Sequence, residues 1–292
     1  MIPRRSLGLG APPVSAVGFG GMHLSIQDRP TEAQSIRVIH AALDAGVTLI
    51  DTADVYCLDN QDIGHNERLV ARALEGWQGE RDQVIVATKG GVTRPAGRWE
   101  TDGRPQHLRA ACERSLEALG VERIDLYQLH APDPKVPLTE SVGALAELQQ
   151  EGKIRWVGLS NVSVPQIREA ESVARVSSVQ NRLNPFFREA LAEGVVAYCA
   201  ERGMGFLAYS PTGGGRLNHK LPAHPVLHPM AARLGVSAHA LVLAWLLARS
   251  PAVIVIPSAR TVEHAQDSTG AAELGLSEAD LSAITAAEFS RA

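Results

Sequence analysis

The chain has 292 residues and carries 28 Lys and Arg against 32 Asp and Glu, a formal net charge of −4. This near balance argues against a nucleic-acid binder, which shows a basic domain or stripe. A hydrophobic share of 45% beside 21% charged residues excludes disorder as the main state. No apolar run reaches the roughly 18–20 residues needed to cross a bilayer, and no apolar stretch follows the charged start Met1-Ile-Pro-Arg-Arg5. Neither a membrane span nor a secretory signal is therefore expected. Cys57, Cys112 and Cys199 are far apart and show no CxxC spacing, so a zinc site or disulfide framework is not indicated and a reducing cytoplasm is the expected compartment.

In chain order, short β-branched runs alternate with segments of helical period. The strand-like runs are Ala16–Gly20, Thr48–Asp51, Val84–Thr88, Ile124–Leu129, Arg155–Leu159, Ser177–Gln180, Gly205–Tyr209 and Val253–Ile256. Most are apolar at consecutive positions, as suits strands covered on both faces of a parallel sheet. Thr31-x-x-Gln34 reads as a capping box, with Ile36, Ile39, His40 and Leu43 on one face and Gly46 past the end. Leu108, Cys112, Leu116 and Leu119 form a second stripe closed by Gly120, and Val142, Leu145 and Leu148 a third closed by Gly152. Ser163 can cap a fourth helix with Pro165 in its first turn. The helix around Leu241, Trp245 and Leu247 is apolar nearly all round and should be well buried.

Eight such units with no Pro- or Ser-rich linker predict one domain over 1–292, an α/β fold of the (β/α)8 TIM-barrel type. A doubly wound sheet is the competitor, but Gly18-Phe-Gly20-Gly21 lacks the final spaced glycine of its fingerprint. In a barrel the carboxyl ends of the strands face the site. Here they carry Asp51, Lys89, His130, Ser160-Asn161, Gln180-Asn181 and Tyr209-Ser210. Three neighbouring strands can thus gather Asp51, Tyr56, Lys89 and His130, a group suited to proton transfer by a phenol. Bringing a phenol from a pKa near 10 to near 7 takes about 4 kcal/mol. One ammonium about 4 Å away supplies about that at an effective dielectric of ~20. Lys89 is therefore expected to lower Tyr56, with Asp51 holding the lysine and His130 orienting a carbonyl.

The chain resembles the aldo-keto reductase superfamily, in particular bacterial members related to the channel β-subunit branch, from about Val14 to Ala287. The motifs are Gly18-Phe-Gly-Gly-Met22, Asp51-Thr-Ala-Asp-Val-Tyr56, Val86-Ala-Thr-Lys89, Asp125-Leu-Tyr-Gln-Leu-His130, Gly158-Leu-Ser-Asn161, Val179-Gln-Asn181, Ala208-Tyr-Ser-Pro211 and Val255-Ile-Pro257. The resemblance implies a barrel that binds NADPH and reduces small-molecule carbonyls, with Tyr56 as general acid tuned by Lys89 and Asp51. It assigns Ser160, Asn161 and Gln180 to the carboxamide and Tyr209 to a stack on the nicotinamide. Ser210 and the backbone after Pro211 would meet the pyrophosphate, and Gly21, Met22 and Asp51 also fall at cofactor positions. Gly213-Gly214-Gly215 offers unobstructed N–H groups for a phosphate nest, or else is a flexible loop.

Three departures shape the expectations. After the eighth strand, Ser258 and His264 stand where many NADPH-specific members have basic residues, and Asp267 and Ser268 where Glu and Asn are usual. With Ala259 these positions still read as adenosine contacts, and Arg260 is the cation left for a 2′-phosphate; NADPH is expected, with NADH the alternative. A longer loop follows Tyr56 and should shape the substrate mouth, where Cys57 is expected beside Tyr56 and His130, its thiol buried and inert rather than reactive; Trp99, on the loop after strand three, is expected to line the same pocket, with an exposed packing role the alternative. The chain ends soon after a helix beginning near Ser277, and the segment from Arg216 to Pro229 is short, so an open pocket is expected. His219, His224 and His228 lack an accompanying carboxylate or cysteine, the His-Pro pairs at 224–225 and 228–229 read as loop, and no metal site is expected. The default is a cytoplasmic monomer without nucleic-acid or membrane partners. The rival readings are a nicotinamide-binding sensor subunit with little turnover, and a dehydrogenase oxidising an alcohol or sugar.

Overall fold

The computed structural model describes residues 2–292. Eight parallel strands form the sheet: β1 (Phe19–Gly20), β2 (Leu49–Asp51), β3 (Ile85–Gly90), β4 (Ile124–Leu129), β5 (Ile154–Ser160), β6 (Val176–Arg182), β7 (Gly205–Tyr209) and β8 (Val253–Val255), paired in chain order. Val17 bridges Val255, Gly18 N donates to Val255 O at 2.8 Å and Gly20 N to Pro257 O at 2.9 Å, so the last strand returns to the first and the barrel closes. All eight expected strands are present, with ends shifted by a residue or a few.

The two-faced burial read from the sequence has a direct structural cause. Side chains alternate across each strand. Leu49, Ile85, Ala87, Leu126, Leu207 and Ile254 fill the lumen, while Ile50, Val86, Tyr127, Phe206, Val253 and Val255 face the helices. Each such Leu or Ile contributes about 1.5–3 kcal/mol on burial. The floor is closed by a hairpin of Arg4–Ser6 and Pro13–Ser15, whose Leu7 and Val14 join the lumen cluster. Arg5 donates to Leu247 O at 2.8 Å and Ser250 O at 2.7 Å, capping the helix Ala238–Leu247. Of that helix all residues but His239 are buried, as its composition predicted.

Two local readings need correction. Thr31 does cap its helix through Gln34 N at 3.3 Å, but the Gln34 side chain does not complete a box; it donates instead to Arg260 O at 2.9 Å. The His228-Pro229 pair lies in the first turn of a helix, Leu227–Leu234, not in a loop. Proline is tolerated there because the N–H it lacks has no intrahelical partner.

Candidate active site

Along the inward face of each strand, apolar residues at the floor give way to polar ones at the carboxyl end. On β3 the inward series is Ile85, Ala87, Lys89; on β4 it is Leu126, Gln128 and then His130. Lys89 is fully buried. Its Nζ donates to Asp51 Oδ2 at 2.6 Å, Tyr56 OH at 2.8 Å and Thr52 O at 2.9 Å. These three bonds use every hydrogen of the ammonium. The phenol oxygen is thus an acceptor, and its own proton is free for another oxygen. Asp51 Oδ1 accepts from Gln180 at 2.7 Å and Gln128 at 3.3 Å. Glycine at 158 makes room for this, since a Cβ there would stand 2.7 Å from Gln128 Cγ.

The expected lowering of Tyr56 is not what the structure supports. Burial raises the Tyr56 phenol well above its ordinary range, and the Asp51 carboxylate adds to this. Burial lowers Lys89, against the pull of Asp51. The argument from one ammonium left out desolvation, which disfavours the charged form of both groups. In this state Tyr56 is a neutral acid. His130 is held well below the imidazole range by burial and by the Lys89 charge, so it is neutral. Among the described residues its Nδ1 is buried without a hydrogen-bond partner, so Nε2 is the ring nitrogen left to meet a substrate oxygen.

These groups open into a cleft of about 990 Å³ that runs from Tyr56, His130 and Trp99 to Arg260 and His264. A larger groove of about 1190 Å³ lies at the other end of the strands, beside Ile85, Ile124 and Trp156. The Lys89–Asp51–Tyr56 cluster faces only the former, so we take that cleft as the site.

Most residues singled out in the sequence line this cleft: Met22, Asp51, Ser160, Asn161, Gln180 and Tyr209 in its inner part. Ser210, Pro211, Ser258, Ala259, Arg260, His264, Asp267 and Ser268 lie further along. Several arrive already engaged. The Gln180 amide nitrogen is spent on Asp51 Oδ1 and Gln128 Oε1. Asn161 donates to His130 O at 3.0 Å and accepts from Tyr209 OH at 2.8 Å. Asp267 accepts from Ser237 at 2.7 Å. Ser210 has a left-handed backbone (φ +47), with its carbonyl held by Asn184 at 2.8 Å.

Three expected contacts are placed elsewhere. Gly21 is buried behind the cleft, where a Cβ would stand 2.3 Å from Asn66 Oδ1. Gly213 faces Phe186 and its N–H already donates to Ser210 O at 2.9 Å, so of the three glycines only Gly214 and Gly215 line the cleft. Cys57 is fully buried, its thiol bonded to Val55 O and Asp59 O, and burial pushes it up to about 12. It belongs to the packed base of the loop, not the mouth. His224 and His228 are bonded to Glu288 O and Pro222 O and do not converge with His219 on a common point.

Sequence reasoning missed His23, Arg182, Thr212, Asn218 and His239, which also line the cleft. Arg182 was within reach, because it follows Gln180 by two on one strand and so shares its face. The chain end was also underestimated. Phe289 stacks on His224 (4.1 Å, 9°), Arg291 donates to Phe186 O at 2.6 Å and Arg216 to Arg291 O at 3.1 Å. The tail therefore braces the segment that carries Gly214, Gly215 and His219.

The fold and the site together define a (β/α)8-barrel enzyme with its ionisable groups at the carboxyl ends of the strands. The chain belongs to the aldo/keto reductase family, whose model matches residues 16–288, and is an oxidoreductase. An uncharacterised oxidoreductase of Schizosaccharomyces pombe is 36% identical over 271 residues, covering 90% of this chain and 83% of that protein. A Klebsiella pneumoniae aldo/keto reductase crystallised with NADP and acetate superposes with a TM-score of 0.82 at 26% identity, over 97% of this chain and 94% of that one. A glycerol dehydrogenase of Gluconobacter oxydans superposes with a TM-score of 0.81 at 30% identity, over 96% and 93% of the two chains.

Proposed function

We propose that the protein is an NADPH-dependent reductase of small aldehydes and ketones, with Tyr56 as the proton donor. The observation that carries this reading is the Lys89 ammonium bonded at once to Tyr56 OH and Asp51, at one end of a long polar cleft. The residues present fit a dinucleotide. Among the described residues the Arg260 guanidinium makes one hydrogen bond, from Nη2 to Gln27 O, leaving its other N–H groups for a 2′-phosphate. Gly214 and Gly215 offer backbone without side-chain obstruction, and Tyr209 presents a ring near the phenol. The Klebsiella relative, crystallised with NADP, supports the choice of cofactor.

When bound, the nicotinamide supplies the hydride. This chain's residues handle the carbonyl oxygen. The Nε2–H of neutral His130 orients it, and Tyr56 passes its proton to the developing alkoxide. The phenolate then forming is stabilised by the Lys89 hydrogen bond, an interaction stronger in the transition state than before it. Asp51, fixed by Gln180 and Gln128, keeps the lysine charged in a buried place.

The test is NADPH and NADH consumption by purified protein over a carbonyl panel. Tyr56→Phe should abolish most turnover and leave nucleotide binding nearly intact, and Arg260→Ala should raise the Kd for NADPH more than for NADH. Full activity in the first variant, or equal effects in the second, removes the residue from its role. Tight binding without turnover in the unaltered protein would favour a sensor subunit. The likeness to a glycerol dehydrogenase favours a second reading, oxidation of an alcohol with Tyr56 accepting the proton. The same residues serve both directions, so assays with alcohols and NADP+ belong in the panel.

A further inference from the structure

The inward series of β6 does not stop at Gln180. Side chains two apart on a strand share a face and stand about 7 Å apart along it. Arg182 therefore rises one step above Gln180, at the rim of the cleft, and pairs across the ladder with Tyr209 of β7. Arg182 is exposed, and among the described residues its guanidinium makes no salt bridge and no hydrogen bond. What holds it is a ring: its Cζ lies 3.6 Å from the Phe187 ring centroid.

That ring is itself fixed. The buried Asn184 side chain accepts from Phe186 N at 2.9 Å and Phe187 N at 3.0 Å and donates to Ser210 O at 2.8 Å, which sets the turn carrying Phe187. The Arg291 Cζ lies 4.0 Å from the same ring centroid. Two guanidiniums so near one ring centre cannot share a face, so Phe187 is clasped between them. Arg291 is spent, donating to Glu189 at 2.5 Å and Phe186 O at 2.6 Å. Arg182 is not, and a stacked guanidinium keeps its N–H edge open to an acceptor in its own plane. No acid in the cleft answers it. Among the described residues Asp51 and Asp267 are the carboxylates that line it, and Lys89 holds the first while Ser237 holds the second. The charge of Arg182 is also felt at the reacting end. Burial raises the Tyr209 phenol, and Arg182, followed by Lys89, works against that rise.

We infer that Arg182 determines specificity by receiving a carboxylate of the substrate, so that the preferred carbonyl compounds are oxo acids whose carboxylate is set off from the carbonyl by a short chain. A carbonyl oxygen meeting Tyr56 OH and His130 lies at the layer of Lys89 and Asp51. Arg182 stands above that layer on another wall of the same cleft, so the two ends of such a molecule are met separately. The guanidinium offers parallel N–H groups to a planar carboxylate, which adds direction to charge. An unpaired cation in a cleft with low-dielectric walls also draws anions towards it. Arg182 takes no part in the hydride and proton transfers; it selects what enters. This inference rests on the reductase reading for the carbonyl chemistry, whereas the anion site is measurable by binding alone.

The experiment titrates succinamate, and succinamide as the neutral control, into full-length protein saturated with NADP+, by calorimetry. Each offers an amide carbonyl to Tyr56 and His130, and only the first carries a carboxylate. Unaltered protein should bind succinamate about tenfold more tightly. Arg182→Met should abolish this preference while changing the Kd for succinamide by less than about twofold. Phe187→Ala should lose most of it, because the guanidinium then has no ring to fix its direction, and Arg182→Lys should keep only part. The Kd for NADP+ should stay within about twofold in Arg182→Met. No preference in unaltered protein, an undiminished preference in Arg182→Met, or a loss of NADP+ affinity matching the loss for succinamate overturns the proposal, the last because it makes the guanidinium a cofactor phosphate contact. Turnover of 4-oxobutanoate and its methyl ester is measured in parallel, and kcat/KM for the acid should fall about tenfold against the ester in Arg182→Met. Turnover of neither by unaltered protein counts against the reductase reading, while the succinamate preference still decides the anion site.

Discussion

Replacing Lys89 by Met separates the two charges that act on Tyr56. At 2.8 Å from the phenol oxygen, an ammonium stabilises a full phenolate by about 6 kcal/mol at an effective dielectric of ~20. The 2.6 Å and 2.8 Å bonds laid end to end put Asp51 Oδ2 at most about 5.4 Å away, so its charge opposes by at least about 3 kcal/mol. The pair together therefore stabilises the phenolate by about 3 kcal/mol, or about a hundredfold in rate. Lys89→Met leaves Asp51 unopposed and should lose up to about ten-thousandfold when that carboxylate is ionised. Asp51→Asn with Lys89→Met removes both charges and should lose only about a hundredfold. The double variant should therefore be the faster of the two. Single-turnover NADPH oxidation by stopped flow, at saturating carbonyl, measures this. A double variant no faster than the single would refute the opposing role of Asp51.

Three further outcomes follow from the same geometry. Asp54 is buried beside Glu67, and burial with the Glu67 charge raises its pKa well above the carboxylate range. A raised acid keeps its proton in the folded state while the unfolded state releases it. Asp54 therefore costs stability as pH rises from about 4 to its folded pKa, by a factor of about ten in the folding equilibrium per pH unit. Asp54→Asn should match the unaltered protein in denaturant melts at pH 4 and exceed it at pH 8; a constant difference would contradict the assignment. Cys57, buried and pushed up to about 12, should resist iodoacetamide at pH 8 until the protein is unfolded, which mass spectrometry of the alkylated peptide reads directly. Phe289→Ala removes the stack that braces the segment of Gly214 and Gly215, and NADPH should leave up to about tenfold faster. An unchanged off-rate in nucleotide-fluorescence stopped flow would dissociate the tail from the cleft.

What could be read from the sequence was what local periodicity encodes. Consecutive apolar residues in Val84–Thr88 and Val253–Ile256 signalled strands covered on both sides, and the structure shows each alternate residue going to a different core. Parity along the strand also put Lys89 on the face of Ala87 and Ile85, pointing at the site. What escaped depends on pairs far apart in the chain. Asn60 and Arg94 exchange backbone and side-chain bonds across 34 positions, and neither residue type announces it. Gln34 completes a familiar local motif in sequence, yet in the fold a carbonyl 226 positions away offers it a better partner than its own cap. Tyr56 is the sharpest case. Its neighbours were identified and its charge environment estimated, but the sign of its shift came out wrong. Spacing supplies the partner and cannot supply the solvent that partner excludes. At 2.8 Å the ammonium is close enough to stabilise a phenolate, and the burial that makes the ammonium effective also withholds ionisation until a substrate oxygen takes the proton. A phenol ionised near neutrality would have no proton to give an alkoxide, so burial keeps the donor loaded while the Lys89 hydrogen bond favours the phenolate as the proton leaves.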